Sequence, residues 1–155
     1  MKAQPLRSKD AFYAAHRDYR TTFNAMKKLI SIVVPAYNEE QVLPLFHVRI
    51  DQVITSLDCY DWEIVFVNDG SKDGTQRLIE ELQTRDPRIS SVNLSRNFGK
   101  EPAMTAGLEH ARGDAVVVID ADLQDPPELI EQFLQAWEDG FDIAYAVRTH
   151  RDRET

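Results

Sequence analysis

The chain has 155 residues, of which 43% are hydrophobic, and a formal net charge of −8 at pH 7. This length is enough for one domain with a substantial core, but not for two domains of ordinary size. The acidic balance argues against nucleic-acid binding, which needs a basic face, and phosphate ligands would have to be held through a bound cation. The single cysteine, Cys59, excludes an internal disulfide and a cysteine-only metal site and favours a reducing compartment.

Membrane spans and leader peptides are not predicted. No apolar stretch of the sequence approaches the ~18 residues of a membrane span. The N-terminus lacks the apolar centre of a signal peptide. We therefore expect the chain as given to be soluble.

The order of predicted elements indicates an α/β fold. Residues 1–28 are polar and mixed in charge, with aromatics at loosely helical spacing, and predict an arm or a helix. From Leu29 onwards, short β-branched runs alternate with longer amphipathic ones, which is typical of a mostly parallel sheet covered on both faces. The predicted strands are 29–34, 62–67, 89–94, 115–119 and 142–147, and the predicted helices are 39–56, 74–85, 100–112 and 127–138.

Polar clusters follow the predicted strands, at the edge where parallel α/β sheets bind ligands. After the first strand, Asn38 is expected to cap a helix, which leaves Tyr37 without a structural explanation. After the second strand, Ser71 or Asp73 is expected to cap the next helix, which leaves Asp69 at the strand tip. Tyr37 and Asp69 are therefore candidate ligand-binding residues.

Basic side chains follow two further strands. Arg96 and Lys100 lie in the cluster SRNFGKE after the third strand, and Arg148 is the first charge beyond the fifth. Each is compatible with a solvated surface position and equally with a contact to an anionic ligand. The glycine spacing of a P-loop is absent from the sequence. The residues alone leave both interpretations open.

The cluster DADLQDPPE, which follows the fourth strand, contains a candidate metal site. Strand side chains alternate between faces, so Asp120, Asp122 and Gln124 share one face if that strand continues into the loop. Two converging carboxylates repel each other unless a cation lies between them. Mg²⁺ or Mn²⁺ takes oxygen ligands of this kind. A solvated loop is the alternative.

The remaining acids of this cluster predict a helix start. Asp125, Pro126 and Glu128 fit an N-cap, a first-turn proline and the acid of a capping box. An EF-hand calcium loop is excluded because its sixth position needs glycine and here holds Asp125. A phosphatase of the haloacid dehalogenase type would carry its two aspartates after its first strand, whereas these follow the fourth.

Four motifs together resemble a known family. SIVVPAYNEE, FVNDGSKDGT, LSRNFGKE and VVVIDADLQDPPE are similar, in order and spacing, to motifs of the inverting family-two glycosyltransferases of the GT-A fold. The polyprenyl-phosphate branch, with dolichol-phosphate mannosyltransferase and the bactoprenol glucosyltransferases, is the most similar. The resemblance implies a Rossmann-like three-layer sandwich over residues 29–148. Residues 1–28 lie outside it, and residues 149–155 would begin an acceptor-side segment.

By position, the resemblance implies a donor site and a metal site. Asp69 would accept a hydrogen bond from the base, Tyr37 would pack near the base, and Arg148 would face the diphosphate. The implied catalytic residues are Asp120 and Asp122, which with Gln124 would bind Mg²⁺ or Mn²⁺. The implied nucleotide-sugar-binding residues are Pro35, Tyr37, Glu39, Val67, Asp69, Asp120, Ala121, Asp122, Gln124 and Arg148.

The implied activity is transfer of a hexose from a nucleotide sugar, with UDP expected as the nucleotide, to a polyprenyl phosphate with inversion. A phosphate monoester has its second pKa at about 6 and is largely anionic near neutrality, so it needs little help from a general base. The full-length protein would lie at the cytoplasmic face of a membrane, anchored through a C-terminal part beyond this sequence, and a homo-oligomer is left open. We expect this chain alone to bind the donor without transferring sugar. The alternative is a nucleotide-binding or assembly module without turnover.

Overall fold

The structure, a computed structural model, describes residues 27–147. Within them, four strands form one parallel sheet in the order β3-β2-β1-β4. The strands are β1 (Leu29–Ala36), β2 (Asp61–Asn68), β3 (Ile89–Asn93) and β4 (Ala115–Val118), and the helices are α1 (Leu43–Ser56), α2 (Thr75–Arg85), α3 (Lys100–His110) and α4 (Leu129–Glu138). The predicted α/β class is confirmed. Since β2 and β4 lie on opposite sides of β1, the strand order reverses there, which is where such sheets bind ligands.

The inner strands are buried on both faces, as their β-branched sequences predict. One face of the sheet packs against α1, α2 and α4 in a large cluster that includes Phe46. The other face packs Val33 and Val67 against Ala103 of α3. The backbone of α3 lies close to the sheet at Gly107, where a Cβ atom would be 2.3 Å from Cγ1 of Val33. The described residues thus form three layers.

The predicted fifth strand, 142–147, is wrong for the described residues. This segment follows α4 without regular structure, and its alternating apolar side chains are exposed: Ile143 by 82%, Tyr145 by 79% and Val147 by 70%. A strand forms only when its backbone pairs with a neighbour, and no other described strand pairs with β4 on its outer edge. The sequence period predicted which residues favour burial but not whether a partner strand is present.

The predicted caps of α1, α2 and α4 are also wrong. The N-cap of α2 is Gly74, without a side-chain cap hydrogen bond, rather than Ser71 or Asp73. Asn38 does not cap α1, which begins at Leu43 with Val42 as N-cap. Instead, the backbone of Asn38 has a φ of 56°, and Oδ1 of Asn38 accepts a hydrogen bond from the N–H of Lys72 at 2.8 Å.

The start of α4 differs in the same way. Its N-cap is Glu128 rather than Asp125, without a side-chain cap hydrogen bond. The carboxylate of Glu128 accepts a hydrogen bond from Arg49 of α1 at 2.6 Å. At the starts of α1 and α4, contacts between distant parts of the chain take the place of the local capping that the sequence predicts.

Several sequence predictions concern residues outside the described range. The N-terminal arm, apart from Lys27 and Lys28, the basic residue Arg148 and the segment 149–155 all lie there. Among the described helices, none has the length and apolar character needed to cross a membrane.

Candidate functional site

A cavity of about 370 Å³ opens at the carboxyl ends of β1, β2 and β4, and we call it the edge cavity. Of the predicted site residues within the described range, only Val67 and Gln124 do not line it. Val67 is fully buried against α3, whereas Gln124 is exposed in the loop after β4. The predicted residues that line the cavity are Pro35, Tyr37 and Glu39 from β1 and its loop, Asp69 after β2, and Asp120, Ala121 and Asp122 after β4.

Side chains after β2 hold the loop that follows β1. The N–H of Asn38 donates to Oγ of Ser71 at 3.0 Å, and the N–H of Glu39 donates to Oγ1 of Thr75 at 2.8 Å. The Thr75 hydroxyl in turn donates to Asp73 at 2.6 Å, which fixes its orientation. Thr75 is fully buried. The backbone at Glu39 is therefore positioned by the start of α2, a contact that the sequence did not predict.

Asp69 holds the loop that leads into α3. It is 4% exposed, its Oδ1 accepts the N–H of Phe98 at 2.7 Å, and its Oδ2 accepts the N–H of Gly99 at 2.9 Å. The neighbouring Gly70 has a φ of 64° and packs against the backbone of Arg96. A carboxylate offers about four lone-pair sites, so Asp69 can accept further hydrogen bonds from a ligand while it holds this loop.

Asp120 and Asp122 both line the edge cavity, but strand alternation is not what brings them there. β4 ends at Val118, and the chain then turns, with a φ of 60° at Leu123. Oδ1 of Asp122 accepts the N–H of Gln124 at 2.9 Å, an arrangement typical of an Asx turn. The shared face predicted for Asp120, Asp122 and Gln124 is therefore replaced by a tight turn, which fixes the Asp122 carboxylate.

Negative charge is concentrated in this cavity. Burial raises the pKa of Glu39, and the charges of Asp122, Asp73 and Asp120 raise this pKa further. The ammonium group of Lys100 forms an ion pair with Asp120.

These residues fit a divalent cation of the magnesium type. Within residues 27–147 no group of three or more His, Cys, Asp or Glu side chains is arranged to hold a metal ion. Mg²⁺, however, usually binds through one or two carboxylates together with the phosphates of a substrate. Asp120 and Asp122 on an open cavity match that mode of binding.

Several lining residues were not predicted as site residues. Asn97, Gly99 and Lys100 belong to the loop held by Asp69 and to the first turn of α3. The signal in the sequence was the polar cluster SRNFGKE after the third strand, which left Lys100 open between a surface position and an anion contact. Ala36 and Ala103 complete the lining.

A larger cavity, of about 700 Å³, lies beside the edge cavity along β4, α4 and residues 141–146. Apolar side chains such as Val116, Phe133 and Trp137 line it. Lys100 and Asp120 line both cavities. Their ion pair therefore lies where the two cavities meet.

Comparisons with known proteins identify similar chains and a similar fold. Residues 31–155 match the family described as Glycosyl transferase family 2. The "Uncharacterized glycosyltransferase YkcC" of Bacillus subtilis (strain 168) is 49% identical over 125 residues, which are 81% of this chain and 38% of that protein. The "Bactoprenol glucosyl transferase" of Shigella phage SfV is 47% identical over 125 residues, 81% of this chain and 40% of that protein. The chain thus spans about two fifths of the length of these curated relatives.

A solved structure shares the fold. The mannosyltransferase PcManGT from Pyrobaculum calidifontis, in complex with GDP-Man and Mn²⁺, matches with a TM-score of 0.54 and 23% sequence identity. The match covers 75% of this chain and 40% of that one. At this identity the likeness supports the GT-A fold alone.

Proposed function

The chain belongs to glycosyl transferase family 2, and we propose that it forms the donor-binding part of an enzyme that transfers a hexose from a UDP-sugar to a polyprenyl phosphate with inversion. One observation carries the proposal: Tyr37, Asp69 and Asp122, from three separate loops, line a single cavity at the carboxyl edge of the sheet. The name of the phage relative, a bactoprenol glucosyl transferase, supports a lipid phosphate as the acceptor.

Tyr37 and Asp69 are proposed to bind the base. Tyr37 is 38% exposed, so its ring offers a face on which a base can pack. Asp69 is held by two backbone N–H groups, so its carboxylate is fixed before the ligand arrives. Its remaining lone pairs would accept an N–H of the base. Pro35 and Ala121 would provide apolar walls beside these groups, with Val67 beneath them.

Asp120 and Asp122 are proposed to hold Mg²⁺ or Mn²⁺ together with the donor diphosphate. Gln124, exposed in the same turn and outside the cavity lining, is proposed as a further oxygen ligand whose side chain would have to turn towards the cation. A divalent cation in this place offsets the negative charge that grows on the leaving diphosphate. The chain contributes a turn in which the N–H of Gln124 already orients Asp122. Arg148, outside the described residues, is proposed to face the diphosphate.

The acceptor phosphate is proposed to attack the anomeric carbon directly. Because it is already largely anionic near neutrality, no side chain has to remove a proton, and attack opposite the leaving group inverts the configuration. An isoprenoid tail stays in the bilayer, since each buried CH₂ adds about 0.8 kcal/mol of preference for the apolar phase. We therefore propose that the whole protein acts at a membrane surface, with the cytoplasmic face as the expected side.

Calorimetric titration with UDP tests the proposed donor site. We expect UDP to bind in the presence of Mn²⁺, and Asp122→Asn to weaken this binding about tenfold or more because it removes a charged metal ligand. Asp58→Asn is the matched control, since Asp58 is exposed in the turn before β2 and does not line the cavity. Undiminished binding in both a chelated sample and the Asp122→Asn variant would refute the metal assignment. Release of UDP from a UDP-sugar would favour an enzyme over a binding module without turnover.

A further inference from the structure

The backbone that leads into Lys100 is held in place beside the edge cavity. Lys100 is the first residue of α3, directly after the two N–H groups of Phe98 and Gly99 that Asp69 accepts. Its Nζ atom forms an ion pair with Oδ2 of Asp120. The backbone before Lys100 is thus tied to the end of β2, while its side chain reaches the end of β4.

The other charged side chains around Lys100 are all acidic. Among the described residues that line the edge cavity, Lys100 is the only cation, whereas Glu39, Asp69, Asp120 and Asp122 are acids. In this structure the ammonium group of Lys100 is therefore paired with Asp120, a carboxylate that the proposed function assigns to a divalent cation.

The ion pair between Lys100 and Asp120 is accessible enough for Lys100 to exchange its anionic partner. The side chain of Lys100 is 61% exposed and that of Asp120 is 27% exposed, and ion pairs this accessible to water contribute little to stability. A lysine ammonium is a compact charge on a flexible four-carbon stem. It can therefore leave Asp120 and reach another anion in the same cavity without a change in the backbone.

We propose that Lys100 takes the place of the divalent cation on Asp120 and moves to the donor diphosphate when cation and nucleotide bind together, an inference that rests on the proposed function above. A cation that binds alone must displace the ammonium group from Asp120, and no phosphate is then present to receive it. When a diphosphate binds with the cation, the ammonium group gains an anionic partner. Lys100 thus couples the two ligands, because it disfavours the cation alone and favours the cation with the nucleotide.

Two titrations of Lys100→Gln test this coupling. We expect the variant to bind Mn²⁺ alone about threefold to fivefold more tightly than the wild type, since the competing ammonium is gone. We expect it to bind UDP in saturating Mn²⁺ about fivefold to tenfold more weakly, since the diphosphate loses a cationic contact. The first value is measured from the electron paramagnetic resonance signal of unbound Mn²⁺, and the second by calorimetry.

Two further variants serve as controls. Lys72→Gln removes the same charge from an exposed position after β2 that does not line the cavity, and we expect both affinities to change less than about twofold at physiological salt because of screening. Lys100→Arg keeps the charge, so both affinities should remain near the wild-type values.

The outcomes separate this inference from the proposed function. If Lys100→Gln lowered the affinities for both Mn²⁺ and UDP, Lys100 would have a structural role. If it changed neither affinity, Lys100 would contribute to neither ligand. Either result would refute the coupling and leave the donor site standing. If the wild type bound no UDP in Mn²⁺, the proposed function would fail and the coupling with it. Opposite changes in the two affinities are the result that a merely structural role does not produce.

Discussion

Gly70, in the loop after β2, packs closely against the backbone of the loop before α3. It has a φ of 64°, and a Cβ atom added there would lie 2.3 Å from the carbonyl carbon of Arg96, 2.5 Å from its Cα and 2.6 Å from the nitrogen of Asn97. All three atoms belong to the backbone, so no change of rotamer relieves the overlap. In Gly70→Ala the two loops must separate by roughly 1 Å to restore ordinary carbon contacts.

Two contributions determine how much Gly70→Ala lowers the free energy of unfolding. The left-handed backbone conformation costs an alanine about 1–2 kcal/mol relative to glycine. The overlap adds about 1–3 kcal/mol, as other overpacked sites do. We therefore expect Gly70→Ala to lower the free energy of unfolding by about 2–5 kcal/mol. Because the displaced loop carries Lys100 and is held by Asp69, UDP binding should weaken as well.

Gly140→Ala is the matched control for this experiment. Gly140 also has a positive φ, of 96°, but no atom lies within 4 Å of the position of its Cβ. It should lose only the conformational term of about 1–2 kcal/mol and keep the wild-type affinity for UDP. Urea unfolding followed by tryptophan fluorescence measures the first quantity, and calorimetry the second. Equal losses of stability in the two variants would show that overlap with the Arg96 backbone does not contribute to the destabilisation.

Two predictions concern parts of the fold away from the cavity. Burial raises the pKa of Glu63, but hydrogen bonds from Ser31 and Arg112 and the guanidinium charge outweigh this, so the pKa lies below its ordinary value of 4.5. The ionised Glu63 carboxylate stabilises the folded state fully above pH 4.5, and this stabilisation is lost as pH falls through the lower folded pKa. The urea midpoint should therefore fall less steeply with decreasing pH in Glu63→Gln than in the wild type. Gly107→Ala should destabilise by about 1–3 kcal/mol through contact with Val33, against a helix-propensity gain of about 1 kcal/mol; a raised urea midpoint would contradict the close packing of α3.

The sequence predicted the buried elements well because burial leaves a clear pattern. β1 and β2 differ from the predicted 29–34 and 62–67 only at their ends, since both faces of these strands are apolar. The helices α1, α2 and α4 end at the predicted residues. The errors occur where a long-range contact overrides a local preference, as at Asn38 and Glu128, and where a strand lacks a described partner.

The candidate site was predictable to the extent that it depends on the sheet. Parallel strands bring their carboxyl ends to one edge, so Tyr37, Asp69 and Asp120 meet in one cavity although the sequence separates them widely. The contacts that connect these residues depend on turns with positive φ, at Gly70 and Gly99. Such turns join side chains to loops about 30 positions away, and no periodicity in the sequence records those pairs.

The loop before α3 connects the proposed base end of the cavity to its proposed metal end. Asp69 holds two N–H groups of this loop, and the next residue, Lys100, forms the ion pair with Asp120. Loss of the Asp69 carboxylate would therefore remove more than one contact to a base, because it would also release the backbone that carries Lys100. Tyr37 has no such connection through this loop, so its substitution reports on base packing more directly. Any assignment of Asp69 to nucleotide recognition must therefore separate its contact with a base from its hold on this loop.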